Sequence, residues 1–115
     1  MVALALAFPI RPGKTEEWKR AIADVTGPHR SETEASHQRL GFTKVNWFLQ
    51  QTQEGDIAIV YLEGDDPGRS YLLGLQSDHP YDCWFAQQFK SLFSFCFKQM
   101  PCKVPSEQVF EWQIS

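Results

Sequence analysis

A helical stripe that begins apolar and continues polar is the feature that most constrains how this chain can fold. Counted with helical spacing from Trp18, the inward positions are first Ile22 and Val25. The same face then carries His29, Glu32 or Thr33, Ser36 and Leu40. Burying a hydroxyl without a partner costs roughly 2–7 kcal/mol. The second half of the stripe therefore either covers a cavity that holds something polar or turns out to solvent, and both interpretations are open.

Aromatic content points to a second buried surface. The chain has 115 residues, which predicts a single domain over residues 1–115, and 14% of them are aromatic. Four Trp, three Tyr and nine Phe are more than a small monomer easily encloses. A subunit interface or a ligand cavity accounts for the excess.

Charge and cysteine usage exclude several classes of protein. The net charge is −3 and no run of Lys or Arg forms a phosphate-binding stripe, which argues against a nucleic-acid partner. No segment approaches the ~20 apolar residues that span a bilayer, and the short apolar start lacks the basic region of a signal peptide. Cys83, Cys96 and Cys102 are expected to be free thiols in a reducing compartment. These features predict a cytoplasmic protein.

The first elements are a strand and an interrupted helix. Residues 2–10 alternate large and small apolar side chains, which predicts a strand buried on both faces. Thr15 is expected to cap a helix that runs to about residue 26. Pro28 then forces a kink or a new helix start, and the second stretch continues from His29 to about Leu40, where Gly41 ends it.

The remaining pattern predicts two strands, two helical segments and a closing strand. Alternation places the strands at residues 42–51 and 56–63. A helical turn follows around residues 69–75, Ser77 or Asp78 caps a helix over residues 79–99, and residues 109–114 alternate as a last strand. The inward stripe of the long helix is Tyr81, Phe85, Gln88 or Phe89, Leu92 and Cys96.

This order, βαββαβ, is that of an α+β, ferredoxin-like domain with a four-stranded antiparallel sheet and both helices on one face. The uncovered sheet face is expected to be too apolar for water. Its candidate residues are Ala3, Ala5, Ala7, Phe48, Val60 and Trp112. We therefore predict a homodimer that pairs two sheets face to face.

With this element order the chain resembles the dimeric α+β barrel superfamily, in which two ferredoxin-like sheets form one barrel. Relatives in that superfamily include cofactor-independent monooxygenases, stress-responsive proteins and haem-degrading or haem-binding enzymes. Three local features are similar to an uncharacterised bacterial family within it. They are Pro12-Gly13-Lys14 with Trp18, His29-Arg30 with Glu32 and Glu34, and Ser77-Asp78-His79 with Asp82 and Phe85. The resemblance implies the fold and the dimer, and it implies no activity for this chain.

The histidines are the strongest candidates for catalytic or ligand-binding residues. His29 follows the helix break on the inward face, where it is either an acid/base group or a structural imidazole bonded to a freed carbonyl. His79 lies in the first turn of a helix, where it either orients an anionic group or assists the cap. His37 is expected to face solvent.

Aromatic residues suggest a flat pocket between the sheet and the helices. The candidates are Trp47, Tyr61, Tyr81, Trp84 and Phe85, and the alternative is that all of them are ordinary core. Arg30 and Arg69 either bind a carboxylate at the rim or are surface charges. The histidines lack metal-ligand spacing, and Cys83, four residues after His79, shows no sign of activation. We therefore predict neither a metal nor a cofactor.

Together these patterns predict a small-molecule-binding dimeric α+β barrel protein. As an enzyme it would act on a small aromatic or apolar compound by cofactor-independent oxygenation or isomerisation. His29 would be catalytic, and Trp47, Tyr61, His79, Tyr81 and Trp84 would bind the ligand. The alternative is a non-catalytic homodimer with a structural or regulatory role.

Overall fold

A computed structural model describes residues 2–93 and 106–114 of the chain. Seven elements follow one another in this part of the chain. They are β1 (Val2–Pro9), α1 (Thr15–Thr26), α2 (Arg30–Leu40), β2 (Phe42–Thr52), β3 (Gly55–Gly64), α3 (Pro67–Gln76) and α4 (Pro80–Lys90). The fold is α+β, and the helices cover one face of an antiparallel sheet.

The sheet has three described strands in the order β1-β3-β2. Leu6 pairs with Val60 and Val60 with Trp47, so this row faces the helices. The next row, Ala5, Tyr61 and Asn46, faces away from them. The prediction that Val60 lies on the uncovered face is wrong. Val60 is 3% exposed, because strand alternation places it beside buried Ala58 and Leu62 on the helix side.

The interrupted helix forms as the sequence predicts. Pro28 offers no N–H, and the helix re-forms when the N–H groups of His29 and Arg30 donate to Asp24 and Gly27. At Gly27 a Cβ would lie 2.8 Å from the carbonyl oxygen of Ala23, which favours glycine at the junction. Gly41 ends α2 with φ at +96°.

Helix starts differ in detail from the predicted caps. Lys14 precedes α1, and the hydroxyl of Thr15 instead bonds Asp56 Oδ2 at 2.6 Å. His79 caps α4, because its Nδ1 accepts from the N–H of Tyr81 at 3.1 Å. Helix α4 ends at Lys90 rather than continuing to residue 99, and residues 94–99 lie outside the described ranges.

The predicted fourth strand is not found. Residues 106–114 contain neither helix nor strand, and Val109, Phe110, Trp112 and Ile114 are 74–85% exposed. Trp112 therefore does not pack on the uncovered sheet face. Within the described chain, Ser106 Oγ donates to the carbonyl of Ala5 at 2.5 Å, which brings this segment beside the edge of β1.

One apolar core joins the sheet to the helices. Trp18 and Val25 bring α1 to the sheet, and Phe89 brings α4. Tyr81, Phe85, Phe89 and Leu92 are the inward residues of the α4 region, as its spacing predicts. The apolar first half of the helical stripe that begins at Trp18 is therefore core.

Candidate functional site

A cavity lies beneath the second half of the stripe. It has a volume of about 190 Å³ and is partly open to solvent. Its walls come from the sheet and from α2, α3 and α4, whereas α1 contributes none of the described lining. Most of the surface is apolar, supplied by Phe8, Val45, Trp47, Leu62, Phe85 and Phe89. An apolar cavity of ~150 Å³ accepts benzene, so this one has room for one or two rings.

Four polar lining residues pair between two helices, and we call them the polar wall: Thr33 and Ser36 from α2, Tyr81 and Asp82 from α4. Thr33 and Ser36 are each 6% exposed. The hydroxyl of Thr33 donates to the carbonyl of Val25 at 2.6 Å and is hydrogen-bonded to the hydroxyl of Tyr81. Burial is the main cause that raises the pKa of Tyr81, so its hydroxyl keeps its proton near neutral pH.

Asp82 ties three segments of the chain together at the polar wall. Its Oδ1 accepts from Ser36 at 2.6 Å and from Arg39 at 2.7 Å, and its Oδ2 accepts from Ser77 at 2.5 Å. The carboxylate is only 4% exposed. Burial alone raises the pKa of Asp82, but the hydrogen bonds from Ser36, Ser77 and Arg39 outweigh it and bring the pKa below its usual value. Asp82 is therefore ionised at neutral pH.

His37 also lines the cavity, which corrects the prediction that it faces solvent. Its ring is partly buried and meets Phe42 edge-on, with the ring centroids 6.1 Å apart. Burial lowers the pKa of His37, although Glu34 partly offsets this. A neutral imidazole at the cavity can accept a proton from a ligand.

His29 does not reach the cavity. It lies beside the helix break, where its Nδ1 is 2.9 Å from Glu32 Oε1 and its ring packs on Trp84 with the centroids 4.3 Å apart. The side chain is 35% exposed. Within α2 the buried residues are Thr33 and Ser36, whereas His29 lies at the position that precedes the helix. A catalytic role for His29 stays a prediction.

The other predicted ligand-binding residues divide into two groups. Trp47 and Tyr81 line the cavity. Trp84 packs beside Tyr81 at 5.5 Å but is outside the lining, and His79 is an exposed helix cap. Tyr61 lies on the uncovered sheet face, where its hydroxyl donates to Glu63, and this bond is the main cause of its raised pKa.

Sequence reasoning missed His37 and Asp82 as cavity residues. His37 lies four positions after Thr33, so a slightly wider inward arc would have included it. Helical spacing indicates Asp82 only weakly, because this residue comes directly after Tyr81, which already occupies the inward position. A buried carboxylate is recognisable only when its donors, here from α2 and from the loop before α4, are placed in three dimensions.

Residues 2–93 and 106–114 contain neither a metal-ligand cluster nor a membrane-spanning helix. In these ranges no group of three His, Cys, Asp or Glu side chains could hold a metal ion. None of the helices described is both long and apolar enough to cross a membrane. Cys83 is an exposed free thiol, whereas Cys96 and Cys102 lie outside the described residues.

Comparison with solved structures finds a similar fold in tetracenomycin F2 cyclase from Streptomyces glaucescens, a type II polyketide cyclase. The similarity covers 100% of both chains with a TM-score of 0.65, at 15% sequence identity. This likeness shows that the two chains share a fold. No protein-family model and no curated protein matches the sequence. The narrower resemblance to an uncharacterised bacterial family therefore stays a prediction.

Proposed function

We propose that this protein binds a small planar molecule, mostly apolar, in the cavity between the sheet and helices α2 to α4. The observation that carries the proposal is the composition of the cavity. Aromatic and aliphatic side chains form most of its surface, and a few polar side chains interrupt it. Such a combination suits a flat ligand that is held by its body and oriented by a few polar atoms.

The shared fold supports an enzyme on this scaffold. The cyclase with the similar structure is described as a polyketide cyclase, so one chain with this fold performs chemistry on a polyketide. At 15% identity the likeness does not transfer the reaction. It supports a small-molecule-binding role for a chain with this fold.

The reaction class that we propose is proton transfer without a cofactor, as in an isomerisation. His37 supplies a neutral imidazole at the cavity, because burial lowers its pKa. A neutral imidazole can accept a proton from a bound ligand and return it at another position. Cofactor-independent oxygenation is the other class suggested by the superfamily resemblance.

A homodimer through the uncovered sheet faces completes the proposal. In the described chain this face carries small or apolar side chains in adjacent rows, among them Ala5, Ala7, Ile59 and Phe48. Phe48 is 54% exposed although it lies in the middle of β2. The same observation favours the second candidate function, a non-catalytic homodimer with a structural or regulatory role.

Binding of naphthalene in equilibrium dialysis tests the proposed function. We expect the wild-type protein to bind it and Ala86→Phe, which places a ring among the lining residues, to weaken binding about tenfold or more. Ala35→Phe, an exposed position of α2 outside the lining, is the matched control and should bind like the wild type. Absence of binding to the folded wild-type protein would refute the ligand site and leave the non-catalytic homodimer.

A further inference from the structure

The protons of the polar wall are already committed to protein acceptors. The carbonyls of Val25 and His29 lie 2.6 and 3.0 Å from Thr33 Oγ1 and can only accept, so the single hydroxyl proton of Thr33 is donated to the backbone. The hydroxyl of Tyr81 must then donate to Thr33 Oγ1. Ser36 donates its proton to the carboxylate of Asp82. These three hydroxyls face the cavity without a proton to give.

The remaining group of the polar wall, Asp82, accepts hydrogen bonds and carries charge. Its carboxylate receives one donor from Ser77 and two from α2, and a carboxylate has about four lone-pair positions. One of the three donors is the guanidinium of Arg39, which is 37% exposed, so that solvent screens part of its charge. Toward the cavity, the wall presents lone pairs and a negative charge.

We propose that the polar wall acts as a hydrogen-bond acceptor that selects neutral planar ligands carrying an O–H or N–H group and rejects aryl carboxylates. This rests on the proposed function, because it assigns the ligand class of the same cavity. A ligand donor meets the free lone pairs of Tyr81 and Asp82. An anionic ligand has no proton to offer and would lie against a buried carboxylate.

Three other polar side chains line the cavity: Tyr71, which already has an interaction within the chain, and His37 and Ser70, which define the rest of the ligand. His37 and Ser70 each carry one proton that can be donated to an acceptor. A neutral ligand with a hydroxyl or amino group on one edge and a carbonyl or ether oxygen elsewhere satisfies both sets. Hydroxyarenes and aminoarenes belong to this class, whereas benzoates and naphthoates do not.

Three probes of one shape test the proposal: naphthalene, naphthol and naphthoate, with both substituents at the same ring position. Near neutral pH naphthol is neutral and naphthoate is anionic. In equilibrium dialysis with wild-type protein we expect naphthol to bind about tenfold or more tighter than naphthoate, and tighter than naphthalene. Binding of naphthalene with no preference for naphthol over naphthoate would overturn this inference and leave the proposed function intact. If none of the three probes binds, both this inference and the proposed function are refuted.

Asp82→Asn identifies the residue responsible. The variant removes the charge but keeps the size of the side chain, so affinity for naphthoate should rise and the naphthol-to-naphthoate preference should fall by about tenfold. Asp78→Asn makes the same change in charge four residues away at an exposed position and should keep the wild-type preference. An unchanged preference in folded Asp82→Asn contradicts the role of Asp82. If this variant does not fold, the probe order of the wild-type protein decides the proposal.

Discussion

At the scale of single residues, Asp82 joins the packing of the helices to the chemistry of the cavity. Two of its donors, Ser36 and Arg39, come from α2, and the third, Ser77, precedes α4. Removal of one partner from a buried charged network leaves the others without an acceptor. The carboxylate is therefore expected to hold α2 and α4 together while it faces the ligand.

Stability measurements across pH test this role of Asp82. Because the pKa of Asp82 is lower in the folded chain, its contribution is complete above the ordinary value of about 3.9 and disappears as the pH falls through the lower folded value. Near neutral pH, Asp82→Asn should lower the free energy of unfolding by about 1.5–3 kcal/mol in urea denaturation. The difference from wild type should shrink in acid. Equal free energies of unfolding for the two proteins at neutral pH would contradict a stabilising role of the hydrogen bonds to Asp82.

His37 predicts a second pH dependence, at higher pH. Burial lowers its pKa in the folded chain, so the unfolded chain takes up the proton first as the pH falls below about 6.5. The free energy of unfolding should therefore decrease from that pH down to the folded pKa. His37→Gln should remove this slope, and His29→Gln, whose side chain is 35% exposed, should keep it. Urea denaturation at a series of pH values measures all three proteins, and a slope retained in His37→Gln would exclude His37 as its source.

At the scale of elements, the interruption between α1 and α2 decides which residues face the cavity. Gly27 and Pro28 end one helix, and α2 then points Thr33 and Ser36 inward. The sequence predicted the break, the ends of α2 and the polar stripe. It did not predict that His29 would turn away, because the rotation of a helix after a break depends on hydrogen bonds that periodicity does not contain.

Gly27→Ala tests the geometry of this junction. The added Cβ would approach the backbone oxygen of Ala23 to 2.8 Å, so the helix ends must shift. We expect a loss of more than about 1 kcal/mol in the free energy of unfolding, together with weaker naphthalene binding. Gly74→Ala is the comparison for the free energy of unfolding alone, because its Cβ would meet only the end of the Leu40 side chain at 3.3 Å and Gly74 itself lines the cavity. Equal losses in the two variants would show that the junction is not specially constrained.

At the scale of the whole molecule, the uncovered sheet face and the segment at residues 106–114 are the exposed apolar surfaces of the described chain. Strand alternation predicted the three described strands closely, because one face of each strand is buried against the helices. The last strand was predicted from alternation alone. Alternation does not supply a hydrogen-bonding neighbour, and residues 106–114 do not join the described sheet.

Phe48→Glu tests the proposed homodimer. Phe48 is exposed in the single chain, so the substitution should leave folding nearly unchanged but bury a charge if two sheet faces meet. In sedimentation velocity we expect a dimer for wild type and a monomer for Phe48→Glu. Gln50→Glu adds the same charge two residues along the same face of β2 and should weaken the dimer less. A wild-type monomer at micromolar concentration would end the sheet-to-sheet proposal.

The break at Gly27 and Pro28 also divides the helical region into a part that forms the core and a part that lines the cavity. Helix α1 seals the apolar interior with Trp18 and Val25 and touches no part of the described cavity, whereas α2 contributes Thr33, Ser36 and His37 to it. Substitutions at the cavity residues of α2 can therefore change ligand preference without altering the apolar core around Trp18, although Thr33 and Ser36 also bond Val25 and Asp82. Helix α2 is therefore the first element to vary when the protein is redesigned to bind a different ligand.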